Sequence, residues 1–161
     1  MLRKQIIKGF SAAPVSTAGA IDIAAAATVL VTSESPEHPV DHAFDERRGP
    51  GGSRWVAGAP GEQTLILAFD SPQAIRRIIL EVEEPEVSRT QELQLAVSCD
   101  GGQTYRELLR QEYNFSPPVM TFEREDWAVS ADAVTHLRLG IKPDKGGKPS
   151  RATLTSLLVL Q

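Results

Sequence analysis

The sequence predicts an all-β sandwich or barrel, and three observations carry that prediction. From Thr28 onward apolar residues alternate with polar ones in short runs. Asp-, Gly- and Pro-containing segments punctuate the runs. No long amphipathic helix separates them, which excludes a parallel α/β arrangement.

Residues 1–24 read as a weakly ordered lead-in, because their Ala, Gly, Ser and Thr offer little apolar area to offset ordering entropy. The IDIAAAA stretch has room for only a short helix. A single domain then occupies residues 25–161. In QTLILAFD, Leu65, Leu67 and Phe69 fall on one face; in RIILEVEE, Ile78, Leu80 and Val82 point inward and Glu81 and Glu83 outward. TQELQLAVS repeats the pattern with Leu93, Leu95 and Val97, THLRLGIK with Leu137, Leu139 and Ile141, and ATLTSLLVL closes the chain. These are half-buried antiparallel strands. Asp70-Ser71-Pro72, Asp100-Gly101-Gly102 and Asp144-Lys145-Gly146-Gly147 supply turn chemistry between them. Longer loops are expected at residues 33–52, 112–120 and 142–151, and loops on a rigid β frame are where function is sought.

The length of 161 residues suits one domain with a real core. Seventeen Lys plus Arg against 21 Asp plus Glu leave a net charge of −4, so no global field collects nucleic acid. Cys99 is the only cysteine, which excludes an intrachain disulfide and the Cys-rich zinc patterns. No run approaches the ~18 apolar residues that span a bilayer. Lys8, Ser11, Pro14, Ser16 and Asp22 interrupt the N-terminal apolar positions, which places the cytoplasm ahead of a secreted location. Composition leaves the oligomeric state open.

The densest chemistry lies in HPVDHAFDERRGPGGSRW, residues 38–55. His38 and His42 have the spacing of a helical zinc pair, but Pro36 and Pro39 break a helix there and no HExxH order is present. They read as loop or packing residues. A Ser-His-Asp hydrolase lacks its GxSxG elbow. Glu123, Glu125 and Asp126 could supply paired carboxylates only through a spatial distance the sequence does not give, and read as a solvated strand end. KPDKGGKPSR sets Lys142, Lys145, Lys148 and Arg151 against Asp144, and reads as a solvated hairpin ahead of a phosphate site. With no nucleophile, base and orienting group to assemble, an enzyme is the least favoured class. Trp55, Tyr105, Tyr113, Phe115, Phe122 and Trp127 lie in or beside loops, and an exposed aromatic at a loop end is expected from the set.

The order Ala43-Phe44-Asp45, Ser53-Arg54-Trp55, Leu67-Ala68-Phe69-Asp70, Ile75-Arg76-Arg77-Ile78, then Ser98-Cys99-Asp100-Gly101 with Tyr105, resembles the discoidin, or galactose-binding-like, β-sandwich over about residues 27–161. VTSESPEHPVDHAFD, RTQELQLAVS and RQEYNFSPP are similar to a group of small bacterial discoidin-like proteins. The resemblance implies a jelly roll of about eight mainly antiparallel strands. It also implies a loop that in many members holds a structural calcium, for which Asp45 and Ser53 are the matching oxygen donors. Two departures weigh against calcium: Glu46 follows Asp45 where the family has Gly, and Leu157, Leu158 and Val159 lack the acidic residue that often completes the site. Trp55 matches a buried family position, and Tyr105 is expected to pack on the strand after its hairpin.

The leading expectation is therefore a non-enzymatic module that binds carbohydrate through loops at one end. Arg47, Arg48, Arg54 and Asn114 would supply hydrogen bonds, and Tyr113 or Phe115 a stacking face. A cytoplasmic protein-interaction domain ranks second. A nucleic-acid-associated scaffold ranks third.

Overall fold

The computed structural model describes Arg3, Gln5 and residues 17–161. One helical turn (α1, Ile23–Ala26) leads into β1 (Ala27–Val31), and a 3-10 helix spans Val40–Phe44. The remaining strands are β2 (Trp55–Val56), β3 (Gln63–Glu83), β4 (Arg89–Ser98), β5 (Arg106–Phe115), β6 (Phe122–Lys142), β7 (Thr153–Leu154) and β8 (Ser156–Leu160). All pair antiparallel. The predicted all-β jelly-roll sandwich is the observed architecture, and all five predicted alternating runs fall in strands.

Two strands are far longer than the sequence suggests. β3 and β6 each run for 21 residues and pair along most of their length, with register breaks between Ala68 and Arg77. The predicted turn at Asp70-Ser71-Pro72 is this break; it does not end the strand. Pro72 has no N–H to donate to a ladder, which suits it to the gap in pairing between Ala68 and Gln73. Opposite, Ala133 takes a positive φ of 53°. Before the break Leu65, Leu67 and Phe69 are inward; after it Ile78, Leu80 and Val82 are, so the inward parity switches and each strand serves two layers.

One layer is ordered β1, first half of β3, second half of β6, β4, β5. The other is β8, second half of β3, first half of β6. Between them lies the core, with Trp55, Leu67, Ile78, Leu80, Leu93, Leu95 and Leu154 at 0% exposure. β2 and β7 form a separate two-stranded ribbon beside it. The lead-in is tied down from Gly19 onward: Gln161 N–H donates to Gly19 O, Ile21 N–H to Val159 O, and Ile23 is buried. Its earlier part, Arg3 and Gln5 apart, lies outside the described residues.

Registers such as Val31↔Leu65, Gln63↔Ile141, Arg89↔Phe115, Glu83↔Phe122 and Glu81↔Ser156 bring the connections after β1, β3, β5 and β6 to one end. The strand crossing, the Asp100-Gly101-Gly102 hairpin and the last residues occupy the other.

Three aspartates fasten turns and strands, and all titrate below the usual range. Asp100 is lowered by Ser98 and Thr104 hydroxyl hydrogen bonds, Asp126 by Arg77, and Asp144 by the Lys148 N–H. Unfolded aspartates bind protons near pH 3.9, so the unfolded state takes up more protons than the folded state as pH falls past that value. Glu123, raised by burial and by Glu125, acts in the opposite sense but alone. Thermal unfolding should be insensitive to pH from 7 to about 5 and shift progressively downward below pH 4. A melting temperature that rises on acidification would contradict these three anchors.

Candidate functional site

The loop end is assembled from β3 outward. Glu81, Glu83 and Glu84 stand at its exit, and each carboxylate holds another segment. Glu81, 2% exposed, accepts Gly49 N–H at 2.8 Å and faces Arg124 at 3.7 Å; Glu83 accepts Gly51 N–H at 2.8 Å. Carboxylates suit this task because backbone N–H groups in a turn are pure donors. Glu84 pairs with Arg89 at 2.8 Å.

Arg89 is the centre of the arrangement. Its side chain is fully buried, and its Nη1 donates to Gln91 Oε1 and to Pro143 O, both at 2.7 Å. The guanidinium lies 5.1 Å from the centroid of the Phe115 ring. Its Nη2 has no hydrogen-bond partner among the described residues. A buried charge survives only when paired and hydrogen-bonded, so Arg89 locks the 84–88 segment, β4 and the 143–151 segment into one geometry.

Beside it opens a polar groove of about 380 Å³ lined by Arg89, Thr90, Asn114, Ser116, Asp144 and Lys148, with Ser88, Phe115 and Gly146. Asn114 accepts the Thr90 hydroxyl at 2.7 Å, which leaves its amide nitrogen free of protein partners among the described residues. Lys148 Nζ makes only a long 3.4 Å contact with Ser88 O. Asp144 accepts the Lys148 N–H at 2.9 Å and the Thr90 N–H at 3.3 Å, and Lys145 N–H donates to Thr90 O at 2.7 Å. The expected solvated hairpin is thus pinned to β4. Its cations are largely neutralised: Lys142 pairs with Glu62, and Lys145 with Glu92 and Glu112.

The structure brings together only part of the predicted set. Asn114 is exposed on the groove, as expected. Arg47 and Arg48 are exposed too, but Arg48 lines a different groove of about 300 Å³ with Gly49, Glu81 and Arg124. Arg54 is half-buried, with its Nε enclosed. Tyr113 and Phe115 overturn the stacking-face expectation, at 4% and 1% exposure. The reason is that residues 112–115 continue β5 and do not begin a loop, so the odd positions turn inward. Among the described residues no aromatic is in the exposed class; the exposed large apolar residues are Leu30, Val87, Val119 and Met120. Trp55 is buried as expected, its Nε1 donating to Ser33 O at 3.0 Å, and Tyr105 packs half-buried beneath Arg138.

Asp45 and Ser53 do meet, but on each other. The Ser53 hydroxyl and the Arg47 N–H donate to the two Asp45 oxygens. Calcium takes about six to eight oxygen ligands, and both Asp45 oxygens here are engaged by the loop's own Ser53 hydroxyl and Arg47 N–H. No group of three or more His, Cys, Asp or Glu fit for a metal occurs among the described residues. His38 and His42 sit edge to face at 6.3 Å, and His42 Nδ1 contacts Arg54 O at 3.1 Å, in keeping with packing roles. Glu46, which follows Asp45, takes a positive φ of 64°.

Comparison with solved structures places this geometry. No family model matches the chain, and no curated protein matches it. A family 32 carbohydrate-binding module of Clostridium perfringens, CBM32-5, in complex with GalNAc-β-1,3-galactose, is similar over 88% of this chain and 99% of its own, with 19% identity and a TM-score of 0.63. The family 32 module of Clostridium perfringens NanJ, in complex with galactose, aligns over 89% and 98% at 15% identity with a TM-score of 0.60. A chitosan-binding module from Paenibacillus sp. IK-5 aligns over 84% and 94% at 19% identity with a TM-score of 0.61. The fold is the galactose-binding-like jelly roll. No described helix is long and apolar enough to cross a membrane.

Two substitutions test this description. Tyr113→Phe removes a buried hydroxyl without a described partner, so stability should stay level or rise by up to about 1 kcal/mol in urea unfolding. A loss of more than that would mean the hydroxyl is satisfied. Glu46→Gly should stabilise by about 0.5–1 kcal/mol, because the relief of left-handed strain exceeds the added chain entropy.

Proposed function

We propose that this protein is a non-catalytic carbohydrate-binding module whose loop-end groove takes a hydroxyl-rich sugar. The observation that carries the reading is the groove itself, where the free Asn114 amide, the weakly held Lys148 ammonium, the Ser116 hydroxyl and the Asp144 carboxylate converge on about 380 Å³. Sugar hydroxyls both donate and accept, and this set supplies both roles. The walls are held by the Arg89 network, so little ordering cost remains at binding. Val119, 83% exposed, and Met120 stand on the adjoining loop and offer an apolar rim to a pyranose C–H face. The shared fold supports the reading, since the similar modules are in complex with galactose or GalNAc-β-1,3-galactose, or are named for chitosan binding.

Without a stacking aromatic the affinity is modest. About four hydrogen bonds at a net ~1 kcal/mol each correspond to dissociation constants near 1 mM. NMR titration with galactose, N-acetylgalactosamine and glucosamine oligomers should move the Asn114 and Ser116 resonances, with saturation in the millimolar range. Asn114→Ala and Lys148→Ala should each weaken binding about five- to tenfold, while Arg48→Ala, in the neighbouring groove, should leave it unchanged. Saturable binding that is indifferent to both Asn114→Ala and Lys148→Ala would remove this groove from the account.

A further inference from the structure

We infer that the outer face of the five-stranded layer carries a second saccharide site, selective for a sugar carboxylate; the saccharide class rests on the reading above, the site does not. The registers Thr64↔Gly140↔Gln94↔Arg110 and Ile66↔Arg138↔Ala96 lay two rows of outward side chains across β3, β6, β4 and β5. Gly140 is the small residue at the middle of the first row. The result is a trough of about 490 Å³, larger than the loop-end groove.

Its margins are neutralised and its centre is not. Arg110 is paired with Glu92 at 2.6 Å and Glu107 at 2.9 Å, and Lys142 with Glu62 at 3.4 Å. Arg138 has no acidic partner among the described residues; its guanidinium is stacked on Tyr105, 4.1 Å from the ring centroid. The stacking fixes one face of the guanidinium and leaves its N–H edge for a ligand. Gln94 and the Thr64 hydroxyl, beside Gly140, also make no side-chain hydrogen bond to a described residue. Ile66, half-buried, and the buried Ile141 are its apolar lining. One unpaired, oriented cation flanked by neutral donors and acceptors matches a pyranose that carries one carboxylate, with Arg138 pairing the acid and Gln94 and Thr64 its hydroxyls.

Gly140 provides a clean block. It does not take a positive φ, and a Cβ built there meets nothing nearer than Gln94 at 3.9 Å, so Gly140→Val adds bulk to the trough from an unstrained position and favours the strand. Calorimetric titration compares a short oligogalacturonate with a neutral galactan oligomer of the same length. The intact protein should bind the acidic oligomer about tenfold more tightly. Arg138→Gln should erase that preference, and Gly140→Val should abolish acidic binding with an unchanged or raised melting temperature. Lys148→Ala and Asn114→Ala should leave acidic binding in place. Equal affinity for the two oligomers, no binding of the acidic one, or acidic binding that survives Gly140→Val overturns the second site. Loss of acidic binding in Lys148→Ala instead assigns that ligand to the loop end and overturns it equally. The loop-end proposal fails separately, through neutral sugars and Asn114→Ala.

Discussion

Everything in this molecule hangs on two strands that belong to both layers. β3 and β6 pair over most of 21 residues each, and the shift in register near Pro72 and Ala133 is what turns one ribbon into a sandwich. Without the shift, Leu65, Leu67 and Phe69 would share a face with the outward Ile79 and Glu81, and no single core could take both halves. With it, the inner faces of both halves meet, and the ends of β1, β4 and β8 are placed by their registers to the same two strands, with β5 held through β4. The long connections are thereby gathered at one end as a consequence of pairing, before any side chain in them is considered.

Order at that end comes from buried charge. The three glutamates at the exit of β3 each satisfy groups from other segments, and Arg89 ties Glu84, Gln91 and Pro143 together. Such a network is a poor source of net stability, since the desolvation of its ions offsets much of the attraction. What it provides is a single geometry. A groove that binds through a few hydrogen bonds needs that more than it needs strength, because each donor that had to be ordered on binding would consume about as much free energy as its hydrogen bond returns.

The framework was legible in the sequence because period two is a strong signal wherever one face is buried. The runs at Leu65–Phe69, Leu93–Val97 and Leu137–Ile141 needed nothing further. β5 and the first half of β6 were harder. Their inward positions include Gln111, Glu123 and Glu125, so the apolar alternation is diluted, and Pro117-Pro118 drew the loop boundary several residues too early. The alternation Glu112, Tyr113, Asn114, Phe115 does hold the answer: if Asn114 is outside, its two aromatic neighbours are inside. Asn114 was identified as a ligand residue for that end of the fold; Lys148 was read as part of a solvated hairpin, and Arg89 was not singled out. A lone arginine at a strand start looks solvated until a carbonyl 54 residues away, Pro143 O, is known to cap it.

The aromatic residues and the Asp45 loop express the same allocation. The rings expected at a binding surface, Tyr113 and Phe115, are buried in the core with Trp55, which leaves the surface to polar grooves. The loop that resembles a calcium loop is closed by the chain's own atoms: Ser53 and Arg47 on Asp45, Gly49 on Glu81, Gly51 on Glu83. The loop leaves Glu46 in a left-handed conformation that a glycine would adopt without strain. For the proposed binding role, modest affinity is the corollary of placing aromatic surface in the core. If both proposed polar sites take the same saccharide chain, a chain that engages one would be held near the other at an effective concentration well above its own.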